Sequence, residues 1–507
     1  MWLLRLRWSG WLWLLVIANA ACPLFFRCFI TLDGPVHVLH AALLGDAIGE
    51  RTYVAHGLQY DLGRIDIGLL DPVAILLLKL LAPELVETFL GVIVLLMFGA
   101  GAIAYVRAYA GERRMLVVLA LPLSFSVLLL LGLFPFVFSI GLCLWLAARW
   151  VRISEVTFRV LCRSLLAILL CAAVHRGAPV LLGVFVAVHE VLFFAGDRAK
   201  FQARWSGIPR KLARAVLSLG GFALVATAVH FLFLRGVLEA AAERTPLDDL
   251  LHVRPLLLLD HVAERPLCMA FAALLLVSMG TAFLHLRVWR VPIVHHAPLC
   301  IGLLFIFSSL CIRTEWADLH YFGERAQLLG LLMAGLWTAV IVPNNRYAQA
   351  LALVVVIFHV VRSVYVERRM AQFADERAAV VEVARHLKPG ALVATVHCTD
   401  DWLLLHQFAH LATRHKGIVL SKRDKVWFER NSPVAIALHR AINGKEERWE
   451  WFGRCGRDPL CPQVDHVILI GDEHVDQAAN SDALREVLVH DYVPVYNSVS
   501  AQIWDRR

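Results

Sequence analysis

The sequence predicts a polytopic α-helical membrane protein, with about eleven membrane-spanning helices followed by a soluble α/β domain, and three observations predict it. First, the 507-residue chain is 59% hydrophobic and only 18% charged, whereas soluble domains are about half apolar and a quarter charged. Its mean hydropathy is +0.66, more than one soluble core can absorb. Second, the apolar residues gather into runs of span length. Third, Lys and Arg lie in short loops between those runs, so the net charge of +8 reads as membrane topology rather than a nucleic-acid footprint.

A crossing needs about twenty mainly apolar residues. In chain order the runs are residues 11–30, 84–109, 115–131, 134–148, 160–174, 178–195, 215–234, 267–286, 297–312, 326–342 and 347–366. The 160–174 run is short and carries Arg163 near its start, where the side chain can snorkel to the interface. Residues 69–81 are apolar but too short, and Asp71-Pro72 stands near their start. A crossing there would export every later basic loop, so the segment reads as an interfacial or re-entrant helix on the outer side. Arg5 and Arg7 precede an apolar stretch containing Ala18-Asn19-Ala20, which has the form of a signal-peptide cleavage site. The stretch continues through Pro23 to Phe26, which favours an uncleaved first helix.

Orientation follows from the distribution of basic residues. With the N-terminus inside, the runs Arg107–Arg114 and Arg149–Arg163 fall on the inner face, as do Arg198, Lys200, Arg204, Arg210, Lys211 and Arg214. The acids of 33–66, 239–260 and 315–324 fall outside. This places the chain in the inner (plasma) membrane, multi-pass, with a cytoplasmic N-terminus and a periplasmic or extracellular C-terminal domain. The expected division is a membrane module, 1–366, with outer-face loops at 31–83, 235–265 and 313–325, and a soluble domain, 367–507.

In that domain residues 371–387 read as a helix stopped by Lys388-Pro389-Gly390, and 403–413 as another. Residues 391–397, 417–421, 466–470, 493–496 and 501–504 read as strands. Among the 11 cysteines, Cys143, Cys162, Cys171, Cys268, Cys300 and Cys311 lie in or beside apolar runs and read as small buried hydrophobes. Cys455 and Cys461 flank a polar stretch and are disulfide candidates if that part faces an oxidising compartment.

No phosphate-binding glycine loop, HExxH or CxxC spacing is present. No metal site is assigned and the cofactor is left unknown. His397, Asp400, Asp401, His406 and His410 cluster in the C-terminal part, with His406 and His410 one helical turn apart. They read as a polar helix face beside a strand end, with zinc binding as the alternative. The main chemical signal is Thr31-Leu32-Asp33-Gly34-Pro35-Val36-His37, directly after the first helix. An acid at the hydrocarbon boundary is costly unless solvated or used. Gly34-Pro35 is turn chemistry that would fix Asp33 at the helix exit. Two readings stand: Asp33 takes a proton from an acceptor hydroxyl, or it caps the helix that follows.

These features resemble the GT-C superfamily of polytopic glycosyltransferases, which use sugars linked to a lipid phosphate. The resemblance rests on the acid after the first helix, Asp33; on the 71–80 apolar stretch followed by a span and Gly111-Glu112-Arg113-Arg114; and on many helices followed by an outer soluble domain. Asp33-Gly34-Pro35-Val36-His37 is similar to the first-loop motif of uncharacterised bacterial members, although the loop lacks the adjacent acidic pair that many members carry. The resemblance implies transfer of a hexosyl or pentosyl group from a polyprenyl phosphate to a glycan, lipid or protein acceptor. Asp33 would act as general base, and membrane lipid rather than nucleic acid would be the partner. Cations would receive the leaving phosphate: Arg64, His175, Arg176, Arg313 and Arg325 are the candidates. Trp316 and Tyr321 are candidates to stack on a sugar, with His37, Asp66 and His320 beside them, although an aromatic interface belt has the same composition. The competing classes are a transporter or flippase of a lipid-linked or polar solute, and a non-catalytic membrane scaffold.

Overall fold

The computed structural model describes residues 8–48, 54–55, 58–59, 68–111, 114–207, 209, 246–311, 321–397, 402–404, 406–420, 464–470, 482–497 and 501–507. Contacts divide the chain into two compact units. One comprises Met1–Pro23 with Gly91–Val366, the other Leu24–Leu90 with Glu367–Arg507.

The first unit is helical. Helix α1 spans Trp8–Phe25 and ends beyond Pro23, short of the expected 11–30. Helices also occupy Phe134–Val151, Phe158–Val174, Ala178–Gly196, His261–Val288, Ala297–Cys311, Phe322–Ile341 and Arg346–Ala371. Among the described residues, six helices are long and apolar enough to cross a membrane: Pro83–Ala110, Phe134–Val151, Ala178–Gly196, His261–Val288, Ile293–Leu310 and Arg346–Ala371. The expected 215–234 span lies outside the described residues. Two helices meet at bare backbone: a Cβ on Gly101 would lie 2.1 Å from the Gly141 carbonyl oxygen, so only glycine permits this approach.

The expected 115–131 span is broken. A 3₁₀ turn, Met115–Leu119, runs into a short helix, Ala120–Ser124, and a second turn of helix covers Val127–Leu130. Phe125 and Ser126 leave the helical region, and the carbonyls at this break need donors. Arg362, only 3% exposed, supplies them. It donates to the carbonyls of Pro122 at 3.0 Å, Phe125 at 2.8 Å and Leu256 at 2.9 Å. Beside it His359 Nε2 pairs with Asn19 Oδ1 at 2.7 Å, and Asn19 Nδ2 donates to Ser124 Oγ at 3.0 Å. Glu190 is likewise a structural acceptor, taking the indole N–H of Trp150 at 2.8 Å and of Trp205 at 2.9 Å, with Arg204 at 3.3 Å. Of the cysteines read as buried, Cys143, Cys171 and Cys268 are so, whereas Cys162 and Cys300 sit on outward helix faces.

The second unit holds a five-stranded sheet. Strands β1 (Val54–Ala55) and β2 (Leu58–Gln59) form a separate antiparallel pair. The sheet contains β3 (Leu392–His397), β4 (Ile418–Leu420), β5 (His466–Ile470), β6 (Tyr492–Asn497) and β7 (Ala501–Arg506) in the order β4-β3-β5-β7-β6. Strand β3 runs parallel to β4 and β5, and β7 runs antiparallel to β5 and β6. The three parallel strands are near-continuous apolar runs because both sheet faces are covered. The expected 371–387 helix begins later, at Ala374, because Arg346–Ala371 ends in a turn at Gln372-Phe373. The expected 403–413 helix divides into a 3₁₀ turn, Trp402–Leu404, and Phe408–His415.

Helix α2 (Gly34–Ile48), α3 (Leu70–Leu78) and the start of α4 (Pro83–Ala110) complete this unit. Helix α3 has nine residues, too few to cross a bilayer, in keeping with an interfacial element. Helix α2 puts Val36, Leu39 and Leu43 into the same core as the sheet strands. The segment after the first helix is therefore built into the sheet-containing unit.

Candidate functional site

Asp33 stands at the N-terminus of α2, its carbonyl accepting the His37 N–H at 3.1 Å. The turn is tied down at Thr31, which is fully buried. The Thr31 N–H donates to Glu87 Oε1 at 2.7 Å, and its hydroxyl reaches the same oxygen at 2.9 Å. The Gly34 N–H donates back to Thr31 Oγ1 at 3.0 Å. A Cβ on Gly34 would lie 2.1 Å from that oxygen and 2.7 Å from Glu87 Oε1, so glycine is required here for close approach.

Glu87 of α4 is the hub. It is fully buried and also faces Arg377 Nη2 at 3.2 Å and His410 Nε2 at 3.1 Å. Arg377 in turn donates to the carbonyls of Phe29 and, at 3.2 Å, Glu84. Four cationic or polar side chains come from the turn and helix around Phe408–His415. His406, His410 and Arg414 share one face at i, i+4 and i+8. They meet, in order, Asp33, Glu87 and Glu84. His406 Nδ1 lies 2.8 Å from Asp33 Oδ1, with the imidazole 14% and the carboxylate 34% exposed. Arg414 grips both oxygens of Glu84, at 2.8 and 2.6 Å, the planar two-point geometry that arginine favours. That bonding raises the Arg414 guanidinium above its ordinary range. Gln407 donates to the Thr31 carbonyl at 3.4 Å.

His37 lies on α2 beside His40, with ring centroids 6.5 Å apart. Burial, then the neighbouring His37, pulls His40 down to about 3, so it is neutral at physiological pH. Asp71 of α3 accepts the Gly68 N–H, and burial holds its carboxyl above the usual range.

The remaining described candidates belong to the first unit. The ring of His175 meets Phe136 edge-on at 5.5 Å, and the Arg325 guanidinium sits 4.9 Å over the same ring. Burial, then Arg325 and Arg176, lower His175 to about 4. It therefore serves as a neutral group rather than a cation. Its Nδ1 accepts the Gly177 N–H at 3.1 Å, which leaves Nε2 as the donor. Tyr321 is 41% exposed, just before the helix that carries Arg325. Arg64, Asp66, Arg313, Trp316 and His320, together with Cys455, Cys461, Asp400 and Asp401, lie outside the described residues. Among the described residues, no group of three or more His, Cys, Asp or Glu is gathered to hold a metal ion.

Sequence reasoning found Asp33 but not its surroundings. The stripe of His406, His410 and Arg414 was partly visible, and the spacing of Glu84 and Glu87 on one face of α4 was the complementary signal.

No protein-family model and no curated protein matches the sequence. Among solved structures, the chain is similar to ArnT from Cupriavidus metallidurans in the apo state. The TM-score is 0.52 and the identity 10%, over 98% of each chain. The same protein bound to undecaprenyl phosphate aligns with a TM-score of 0.48 at 10% identity, over 98% of this chain and 97% of that one. The first likeness runs nearly the length of both chains and shows a shared fold, a mainly helical body with a C-terminal sheet-containing part, as expected from the sequence.

Proposed function

We propose that the chain is a membrane glycosyltransferase that moves a sugar from a polyprenyl phosphate to an acceptor hydroxyl at the outer face, with Asp33 as general base. The observation that carries the reading is the placement of Asp33. Its carboxylate is one-third exposed on a turn that Gly34 and Glu87 hold rigidly. An anchored but accessible base is what displacement at an anomeric carbon needs. The fold shared with ArnT supports it.

In the proposed step the acceptor oxygen forms a bond to the anomeric carbon as the bond from that carbon to the phosphate oxygen breaks. The acceptor proton passes to Asp33, and the electron pair leaves with the lipid phosphate. Charge developing on that phosphate calls for donors or cations. Arg325, Arg176 and the Nε2–H of His175 are the described candidates. The proposed topology has the N-terminus in the cytoplasm and the sheet-containing unit outside.

The test is Asp33→Asn at unchanged protein level, read by mass spectrometry of lipid-linked sugars and surface glycans. One polyprenyl-phosphate sugar should accumulate while its glycan product disappears. Normal product from this variant removes Asp33 as the base. A transporter would place ionisable groups along a midplane path. Arg362 and His359 do lie inside a membrane-length helix, but Arg362 is fully engaged with three backbone carbonyls. That is a structural role and does not favour transport.

A further inference from the structure

We infer that His406 is a positioning residue for the Asp33 carboxylate, so that the C-terminal segment completes the reaction site. The inference rests on the proposed role of Asp33. Three contacts fix the turn carrying His406, two against the first loop and one against α4. His406 Nδ1 lies 2.8 Å from Asp33 Oδ1. The next residue, Gln407, donates to the Thr31 carbonyl at 3.4 Å. One helical turn on, His410 reaches Glu87 at 3.1 Å. The carboxylate is thus registered from both sides, by Thr31 and Glu87 through the backbone and by His406 through its own oxygen.

The two exposures order the roles. The carboxylate is 34% exposed and the imidazole 14%, so the carboxylate is the more accessible and the imidazole backs it. The Nδ1 edge of the imidazole, in close polar contact with Oδ1, limits rotation of the carboxylate. A carboxylate without that partner rotates about its terminal bond, a broad and shallow torsion. Misplacing a base by about 1 Å is enough to cost on the order of 10²-fold in rate. The contact acts on orientation once substrate is bound, so it bears on kcat more than on KM.

The experiment uses the full chain in proteoliposomes. The donor is a lipid extract from cells lacking the protein, titrated to give a maximal rate and a half-saturating amount. His406→Ala is expected to lower the maximal rate on the order of 10²-fold with half-saturation unchanged. His406→Asn, whose amide keeps a polar group near the position of Nδ1, is expected to recover most of that loss. His406→Gln, whose amide extends toward Nε2, is expected to recover little. Asp33→Asn is assayed beside them. If it is inactive while His406→Ala turns over at the wild-type rate, the inference about His406 falls and the role of Asp33 stands. If Asp33→Asn is itself fully active, the underlying reading falls. Where His406→Ala does not fold, the Asn and Gln variants decide, and equal maximal rates for the two overturn the inference.

Discussion

Replacing Glu87 by glutamine keeps the shape of the side chain and removes its charge. The consequences can be worked from its four contacts with three partners. Glu87 is fully buried and takes two bonds from Thr31, one from Arg377 and one from His410. Glutamine retains one acceptor oxygen for Thr31 but turns an amide N–H₂ toward the guanidinium and the imidazole. Arg377, whose side chain is 10% exposed, is left as a buried cation without its carboxylate. Breaking one side of such a pair costs about 3–5 kcal/mol. Arg377→Met strands the opposite charge and carries a similar cost. Removing both strands neither, so the double variant is expected to fall short of the sum by about 1–3 kcal/mol. Hydrogen exchange read by mass spectrometry in detergent is the assay, with peptides from Leu24–Leu90 and Glu367–Arg507 reporting together. A loss of about 3 kcal/mol accelerates exchange through the opened state roughly 10²-fold. If Glu87→Gln changes exchange less than about fivefold, or the two substitutions simply add, Glu87 is not the hub described here.

Two further outcomes concern stability. His415 is 3% exposed, and burial, then His466, pulls it down to about 4. The unfolded imidazole binds a proton below about 6.5 and the folded one does not until about 4. Its contribution is therefore complete above about pH 6.5 and lost as the pH falls toward 4, by about 3 kcal/mol in all. Unfolding midpoints between pH 7.5 and 5 should decline, and His415→Leu should flatten the decline; matching slopes would refute the assignment. Arg362→Met strips donors from the carbonyls of Pro122, Phe125 and Leu256. It is expected to cost about 3 kcal/mol or more, read as a lowered thermal midpoint in detergent. An unchanged midpoint would show that the broken segment does not depend on this side chain.

Local signals carried much of the fold. Strand 466–470 was readable because Val467–Ile470 is apolar and bounded by polar residues, and β5 is His466–Ile470. Residues 84–109 were readable as one helix because no charged residue interrupts Phe89–Val106, and α4 is Pro83–Ala110. The break after Ser124 was not readable as such, since Pro122, Ser124 and Ser126 are residues that a spanning helix also tolerates. What stabilises the interruption is Arg362, far along the chain. The same holds for the site. An acid at a helix exit marks itself, and Asp33 was visible for that reason. Its partner His406 was visible only as a polar residue on a helix, because no local pattern says which distant carboxylate an imidazole will meet. Likewise the apolar face Val36, Leu39 and Leu43 was legible as a face, but its burial with the sheet strands depends on a contact of long sequence separation.

That last packing has a consequence for biogenesis. Helix α2 leaves the ribosome among the first 50 residues, while the strands that share its core come after residue 390. Its apolar stripe must wait, shielded by lipid or a chaperone, until nearly the whole polypeptide has been translated and threaded. Closing so long a loop is slow, and it delays the contact between Asp33 and His406 until synthesis is almost finished. A prematurely terminated product would thus carry the Asp33 turn without the imidazole that meets it in the complete chain.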